Sequence, residues 1–328
     1  MYERTDFSGR CRAEAGQISS EIPQSGAEEF PLQNAPEKDI VLNGKKAEGS
    51  EKLKNGDVIR LYLSEETLEK FHEPRKADQY PLWPGLEIVY EDCQLLLVNK
   101  PAGMLSQKAD PKDVSLNEYL IGYLLESGQM APESLAGFTP GVCNRLDRNT
   151  SGLVIGAKTL AAAQEMGRLL KERRAGKYYL ALVKGQVTRK ERIRGWLAKD
   201  EAKNQARISR EPLENGAPIE TAYEPLAANK EMTLLKVELV TGKTHQIRSH
   251  LAGIGHPLAG DRKYGDAAFN RYFRETYGLN SQFLHSWQIE FPVMEPPLEG
   301  VSQKTVTAKP PKLFQKILQA EKLSVGGK

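Results

Sequence analysis

Cysteine is scarce: Cys11, Cys93 and Cys143 are the only three in 328 residues, and no CxxC pair occurs. A disulfide framework and a thiolate zinc site are therefore not indicated, and the three read as ordinary reduced thiols. Long apolar runs are missing as well. Leu95–Val98 and Leu120–Leu125 fall far short of the roughly 18–20 residues that a bilayer span requires, and no basic-then-apolar leader opens the chain. No membrane partner is expected, and the cytoplasm is the default location. Excess charge of one sign is absent too, since 46 Lys and Arg stand against 43 Asp and Glu. With 39% hydrophobic residues the chain has enough material for one large or two smaller domains with real cores, which excludes wholesale disorder.

The near-zero balance conceals an uneven distribution. Arg145, Arg148, Lys158, Arg168, Lys171, Arg173 and Arg174 outnumber Asp147, Glu165 and Glu172 over residues 141–176. Lys243, Arg248, Arg262 and Lys263 face only Asp261 over residues 241–264. Two such segments form one phosphate-facing surface if the fold brings them together, and otherwise are two solvated faces.

Residues 1–38 are rich in Glu, Ser, Gly and Pro and lack apolar periodicity, so they read as a disordered leader. Asp39–Lys46 is a strand entering the Asn43-Gly44 turn, and Asn55–Leu63 is a turn followed by an alternating strand. Residues 71–85, with Pro74, Pro81 and Pro84, form a linker. Beyond it, the periodicity predicts a hairpin at Leu86–Tyr90 and Gln94–Asn99, and helices at Ser115–Glu126 and Leu160–Arg174. A buried strand follows at Leu153–Ala157 and another strand at Tyr178–Val183. A second hairpin falls at Ile219–Leu226 and Met232–Leu239, a helix at Thr244–Ala252, and a late strand at Phe283–Phe291. Hairpins outnumber βαβ crossovers. The fold class is α+β, with a mixed, largely antiparallel sheet flanked by helices.

Three segments carry candidate chemistry. Asp147 lies between Arg145 and Arg148 in a polar loop feeding a buried strand, a position that suits a catalytic carboxylate but also a loop cap through Thr150 or Ser151. Thr150-Ser151-Gly152 lacks the first glycine of a nucleophile elbow, so a serine hydrolase finds little support. Tyr178 and Tyr179 point to opposite faces of their strand. Thr241–Leu251 invites comparison with a Walker A loop, yet Val237 stands where the upstream glycine belongs. His245 and His250 are five apart and no HExxH occurs, so no metal site is expected.

Taken together, Val98–Met104, Asn144–Gly152, Lys177–Ala181, Thr241–Leu251 and Gly255–Gly265 resemble, in order, the motifs of the RluA-type RNA pseudouridine synthases. The resemblance spans about residues 86–310. It implies a catalytic domain over 86–312, followed by a tail at 313–328. Asp147 falls on the family's catalytic aspartate, Tyr179 on its active-site tyrosine, and Arg248 on the arginine that pairs with that aspartate. Arg145 falls on the arginine implicated in displacing the target base. Asn144 stands where the family usually has His, and Lys243 where it usually has Arg.

The implied reaction breaks a uridine's glycosidic bond, turns the uracil and rejoins it through carbon five. Neither redox change nor an external group is involved, so no cofactor is expected. The target base must leave its stack. The basic segments, with Arg148, Lys243, His245 and Arg262 among their members, become tracks for RNA. Residues 39–70 resemble the second half of an S-four-like RNA-binding domain, commonly joined to the front of such synthases, whose first half should be two basic helices. Residues 4–38, read one nucleotide out of frame with synonymous codons allowed, yield a basic amphipathic string similar to those helices; the expectation is a pair of compensating frame disruptions. The expected partner is RNA, with large-subunit ribosomal RNA ahead of transfer RNA, and the expected state is a monomer. The rival of another class is a non-catalytic RNA-binding assembly factor of the same fold.

Overall fold

Strand Gly176–Lys184 shows how the sequence places the site, because its pleat sends alternate side chains to opposite faces. Leu180 and Leu182 enter a core roofed by helices, whereas Tyr179 takes the other face. The computed structural model describes residues 2–4, 40–47, 58–62, 80–200 and 205–323. These fall into two units, one within 1–82 and 121–140, the other within 83–120 and 141–328.

In the first unit, β1 (Tyr2–Arg4), β2 (Ile40–Leu42), β3 (Lys45–Lys46) and β4 (Ile59–Leu61) form an antiparallel sheet in the order β1-β4-β2-β3. Asn43 and Gly44 turn the chain between β2 and β3 at φ 49° and 82°, values for which Asn and Gly are suited. The helices expected from the alternative frame of residues 4–38 lie outside the described residues.

The second unit is built on one eleven-stranded sheet. Its strands are β5 (Ile88–Glu91), β6 (Leu95–Lys100), β7 (Gly141–Val142), β8 (Ser151–Ala157), β9 (Gly176–Lys184), β10 (Glu191–Asp200), β11 (Gln205–Ser209), β12 (Ala217–Ala228), β13 (Met232–Leu239), β14 (Leu284–Glu290) and β15 (Thr305–Thr307). The order is β11-β10-β12-β13-β9-β14-β8-β6-β5, with β15 beside β14 and β7 beside β8. Only the β14–β8 pairing, His285 opposite Ser151 and Ser286 opposite Gly152, is parallel; the other described pairings are antiparallel. Gly152 sits there at φ 112°, and a Cβ would come within 2.1 Å of the Ser286 carbonyl oxygen. Only glycine fits.

The helices are α1 (Leu116–Glu126), α2 (Leu160–Lys171), α3 (Gln246–Gly253), α4 (Ala267–Tyr277) and α5 (Lys312–Ala320). Ala162, Met166 and Leu169 of α2 close one core over Leu95, Leu97, Leu153 and Ile155. Phe269 and Phe273 of α4, with Phe314, Ile317 and Leu318 of α5, close a second over Leu180, Leu182, Met232 and Leu234.

The predicted hairpins at β5–β6 and β12–β13 form, as do α1, α2 and β14. Several elements go beyond the sequence reading, among them the β10–β11 hairpin, α4 and α5. The β10–β11 hairpin has charges on its strands rather than clean alternation, and Glu220 of β12 binds both Arg192 and Arg194 of β10. Helix α4 is capped by Asp266, which accepts from the Phe269 N–H at 2.8 Å, and stopped by Gly278 at φ 73°. Helix α5 lies where a tail was expected over 313–328. It is not a loose extension, because Phe314 stacks on Phe283 with ring centroids 3.8 Å apart and leaves the apolar face of α5 in the core.

Candidate active site

Asp147 belongs to the connection between β7 and β8, which is bound from three sides. The Ser106 hydroxyl donates to the Leu146 carbonyl at 2.9 Å and accepts the Leu146 N–H at 3.0 Å. Asn144 accepts the Ile155 N–H at 2.7 Å and donates to the Leu153 carbonyl at 3.3 Å, tying the connection to β8. The Arg148 carbonyl accepts from the Gly103 N–H at 2.8 Å and from Lys100 Nζ at 3.1 Å. Thr150 and Ser151 do not cap the carboxylate. Thr150 accepts from Gln282 and Ser151 bonds His285, so the loop-cap alternative is set aside.

Arg248 reaches Asp147 from α3, a helix whose start is pinned by the Gln246 side chain. That amide donates to the Glu220 carbonyl and the Thr221 hydroxyl, both at 3.0 Å, and accepts from the Thr241 hydroxyl and the Lys243 N–H at 2.8 and 3.2 Å. Four bonds satisfy the buried amide completely. The helix begins two residues later than the predicted Thr244 because His245 occupies the left-handed region, φ 58° and ψ 14°.

Arg248 joins two carboxylates. Its Nη1 donates to Asp147 Oδ2 at 2.8 Å, while Nε and Nη2 donate to Asp261 Oδ2 and Oδ1 at 2.7 and 2.9 Å. The bidentate bond to fully buried Asp261 fixes the plane of the guanidinium, and an Nη1–H directed by that plane holds Asp147. Burial works against the Arg248 charge, but Asp261 and Asp147 outweigh it and raise its pKa above the ordinary value. Burial likewise opposes the Asp261 charge, and Arg248 with the Lys263 and Tyr264 N–H groups more than offsets it, so the Asp261 pKa is lowered. Sequence reasoning counted Asp261 only as the lone acid in a basic segment. Its position in the Gly255–Gly265 loop was the available signal.

Tyr179 is 6% exposed, and burial pushes its pKa up to about 12, opposed by a hydrogen bond with Ser286. His245 Nε2 lies 3.9 Å from Asp147 Oδ2. Arg145, Asp147, Arg148, Tyr179 and Lys243 line one cleft of about 730 Å³, together with Lys171, Arg173 and Lys177. His245 and Arg248 line a small recess continuous with it, where Asp147 and Tyr179 also appear. The two basic segments therefore do meet in one surface. Arg262 is exposed and stands outside the walls of this cleft. Among the described residues there is no group of three or more His, Cys, Asp or Glu able to hold a metal ion, and no helix is long and apolar enough to cross a membrane.

Residues 94–253 match the family model described as RNA pseudouridylate synthase. The chain is 34% identical to ribosomal large subunit pseudouridine synthase C of Vibrio vulnificus, over 80% of this chain and 79% of that protein. It is 33% identical to ribosomal large subunit pseudouridine synthase D of Nitrosomonas europaea, over 77% and 70%. Among solved structures, human RNA pseudouridylate synthase domain containing 4 shares the fold with a TM-score of 0.55 at 22% identity, covering 72% of this chain and 93% of that one.

Proposed function

Because this chain belongs to the RNA pseudouridylate synthase family, and is an enzyme that isomerises uridine in RNA, we propose that Asp147 is its reacting carboxylate and that its substrate is large-subunit ribosomal RNA. The observation that carries the site is the Asp147–Arg248–Asp261 array, in which a buried fork presents a half-exposed carboxylate to a basic cleft.

The isomerisation breaks the bond between C1′ and N1, forms one between C1′ and C5, removes the proton from C5 and places one on N1. Asp147 acts as a nucleophile on the sugar or the uracil, or as a base on the sugar, with Oδ2 held by Arg248. Tyr179 supplies the face on which the extruded uracil packs. Burial pushes its pKa up to about 12, so the phenol keeps its proton before the substrate binds. Arg145, exposed at the mouth, fills the gap that the flipped base leaves. Arg148, Lys243, His245 and Arg262 belong to the RNA-facing set of the same proposal. The ribosomal substrate rests on the names of the two relatives above, both ribosomal large subunit pseudouridine synthases.

Tritium release from RNA labelled at C5 of uridine tests both parts. The parent is expected to release tritium from ribosomal transcripts in preference to transfer RNA, and Asp147→Asn to release none. Release by Asp147→Asn overturns the assignment of the carboxylate, and preference for transfer RNA overturns the substrate. Domain limits of 39–70 for an S-four-like unit are part of the same reading. The nucleotides of codons 4–38 test its missing half, since codons that cannot encode the basic string in the neighbouring frame reject it.

A further inference from the structure

His245 is held in a conformation that costs energy, and the neighbours that hold it also choose where its proton sits. A non-glycine residue at φ 58° is strained by about 1 kcal/mol or more and persists only where its surroundings impose it. The backbone of His245 is held by Ser249, whose N–H and hydroxyl both donate to the His245 carbonyl at 2.9 Å, and its ring by Tyr264, whose hydroxyl lies 3.0 Å from His245 Nδ1 while the two rings meet edge-on at 5.7 Å. The Tyr264 hydroxyl also accepts the Ala206 N–H at 2.6 Å. That contact has one possible direction, because a backbone N–H only donates.

The phenol therefore has its single proton left to give, and His245 Nδ1 is the acceptor within reach. If Nδ1 carried the proton instead, the Tyr264 proton would have no acceptor among its described contacts, and the bare lone pair of Nε2 would face the carboxylate of Asp147 at 3.9 Å. Both consequences are unfavourable. Burial, with Arg248 and Lys263, lowers the His245 pKa against the opposing charges of Asp147 and Asp261, so the ring is neutral at pH 7 and has one proton to place. Arg248 Nη1 and His245 Nε2 both meet the Asp147 carboxylate at Oδ2, and Oδ1 takes part in no hydrogen bond or ion pair among the described residues.

We propose that the Tyr264 hydroxyl sets the tautomer of His245, and that His245, with its proton on Nε2, is a positioning residue that flanks Oδ2 of Asp147 and leaves Oδ1 to the substrate. This rests on the reading of Asp147 as the reacting carboxylate. It changes the expected role of His245 from an RNA contact to a member of the array behind Asp147.

Tyr264→Phe removes the hydroxyl and keeps the ring. In full-length protein labelled with ¹⁵N-histidine, the His245 ring shifts are expected to report Nε2–H in the parent and a mixture of tautomers in Tyr264→Phe. Single-turnover tritium release by that variant at saturating RNA should slow by about five- to tenfold, the worth of one hydrogen bond, with the Kd for RNA unchanged. His245→Gln, whose amide reaches as far as Nε2, should recover more of the rate than His245→Leu. An Nδ1–H tautomer in the parent, or an unchanged rate in Tyr264→Phe, overturns the proposal. So does a rate loss in His245→Leu matched by an equal loss of RNA affinity, which would make His245 an RNA contact. Release by Asp147→Asn would sink the underlying reading instead, while the ¹⁵N measurement stands apart from catalysis.

Discussion

Lys100 shows what one buried charge does for the site. It is fully buried, and its Nζ donates to the carbonyls of Pro101, Met104 and Arg148 at 2.9, 2.8 and 3.1 Å. Three protons meet three acceptors, which is the complete bonding capacity of an ammonium group. Burial lowers its pKa to about 7, against the charge of Asp147. Arg148 lies inside the turn that the Thr150 N–H closes on the Asp147 carbonyl at 3.0 Å, so Lys100 fastens β6 to the loop that carries Asp147. Lys100→Met keeps the apolar stem and leaves the Pro101 and Met104 carbonyls without this donor. We expect it to lose on the order of 3 kcal/mol in urea unfolding, at about 1–3 kcal/mol for each unsatisfied group. A variant as stable as the parent would show that the three bonds contribute nothing net.

At the scale of elements, two histidines tie the sheet to its neighbours as neutral rings. His285 on β14 bonds Ser151 of β8 at 2.9 Å through Nδ1 and the Ala308 carbonyl beyond β15 at 3.2 Å through Nε2. His250 on α3 bonds the Thr221 hydroxyl of β12 at 3.0 Å. Burial lowers both pKa values from 6.5 to about 4. Between those limits the unfolded chain binds more protons than the folded one. The stability they support is complete above pH 6.5 and falls as the pH drops toward 4, by roughly 3 kcal/mol for each ring. Urea midpoints measured from pH 7 to pH 4.5 should decline, and less steeply in His285→Gln. An equal slope in parent and variant would remove His285 from the account. A deeper dependence belongs to α5, whose Phe314 is 2% exposed and stacked on Phe283. Phe314→Ala should cost about 3–5 kcal/mol by leaving a cavity in the second core, and unfolding by denaturant reads it directly; a loss below 1 kcal/mol would mean that α5 is peripheral.

For the molecule as a whole, a net charge of +3 would not by itself attract RNA. The fold gathers Arg145, Arg148, Lys171, Arg173 and Lys243 around one cleft, so the local field is far stronger than the average. Each phosphate contact releases counterions, and the logarithm of affinity falls with the logarithm of salt concentration accordingly. Lys243→Gln is expected to reduce that slope by about one while lowering affinity alike for ribosomal and unrelated RNA. An unchanged slope would mean that Lys243 meets no phosphate.

What the sequence by itself determined is local. The strands around Leu95–Lys100 and Ser151–Ala157, the amphipathic α2 and the Asn43-Gly44 turn follow from periodicity and turn chemistry written in adjacent residues. The ordered motifs brought Asp147, Tyr179 and Arg248 into one family pattern. Tertiary structure alone decided which side chains meet. Arg248 and Asp147 are 101 residues apart, and the fully buried Asp261 that orients the fork looks in the sequence like any surface acid beside Arg262 and Lys263. Gln246 and Lys100 likewise resemble solvated polar residues until their partners surround them. The charged β10–β11 hairpin and the α5 helix were hidden for the same reason. Their contacts are with residues distant in sequence, exposed ion pairs to Glu220 for one and a buried ring stack on Phe283 for the other, and a contact between distant segments leaves no periodic trace in either.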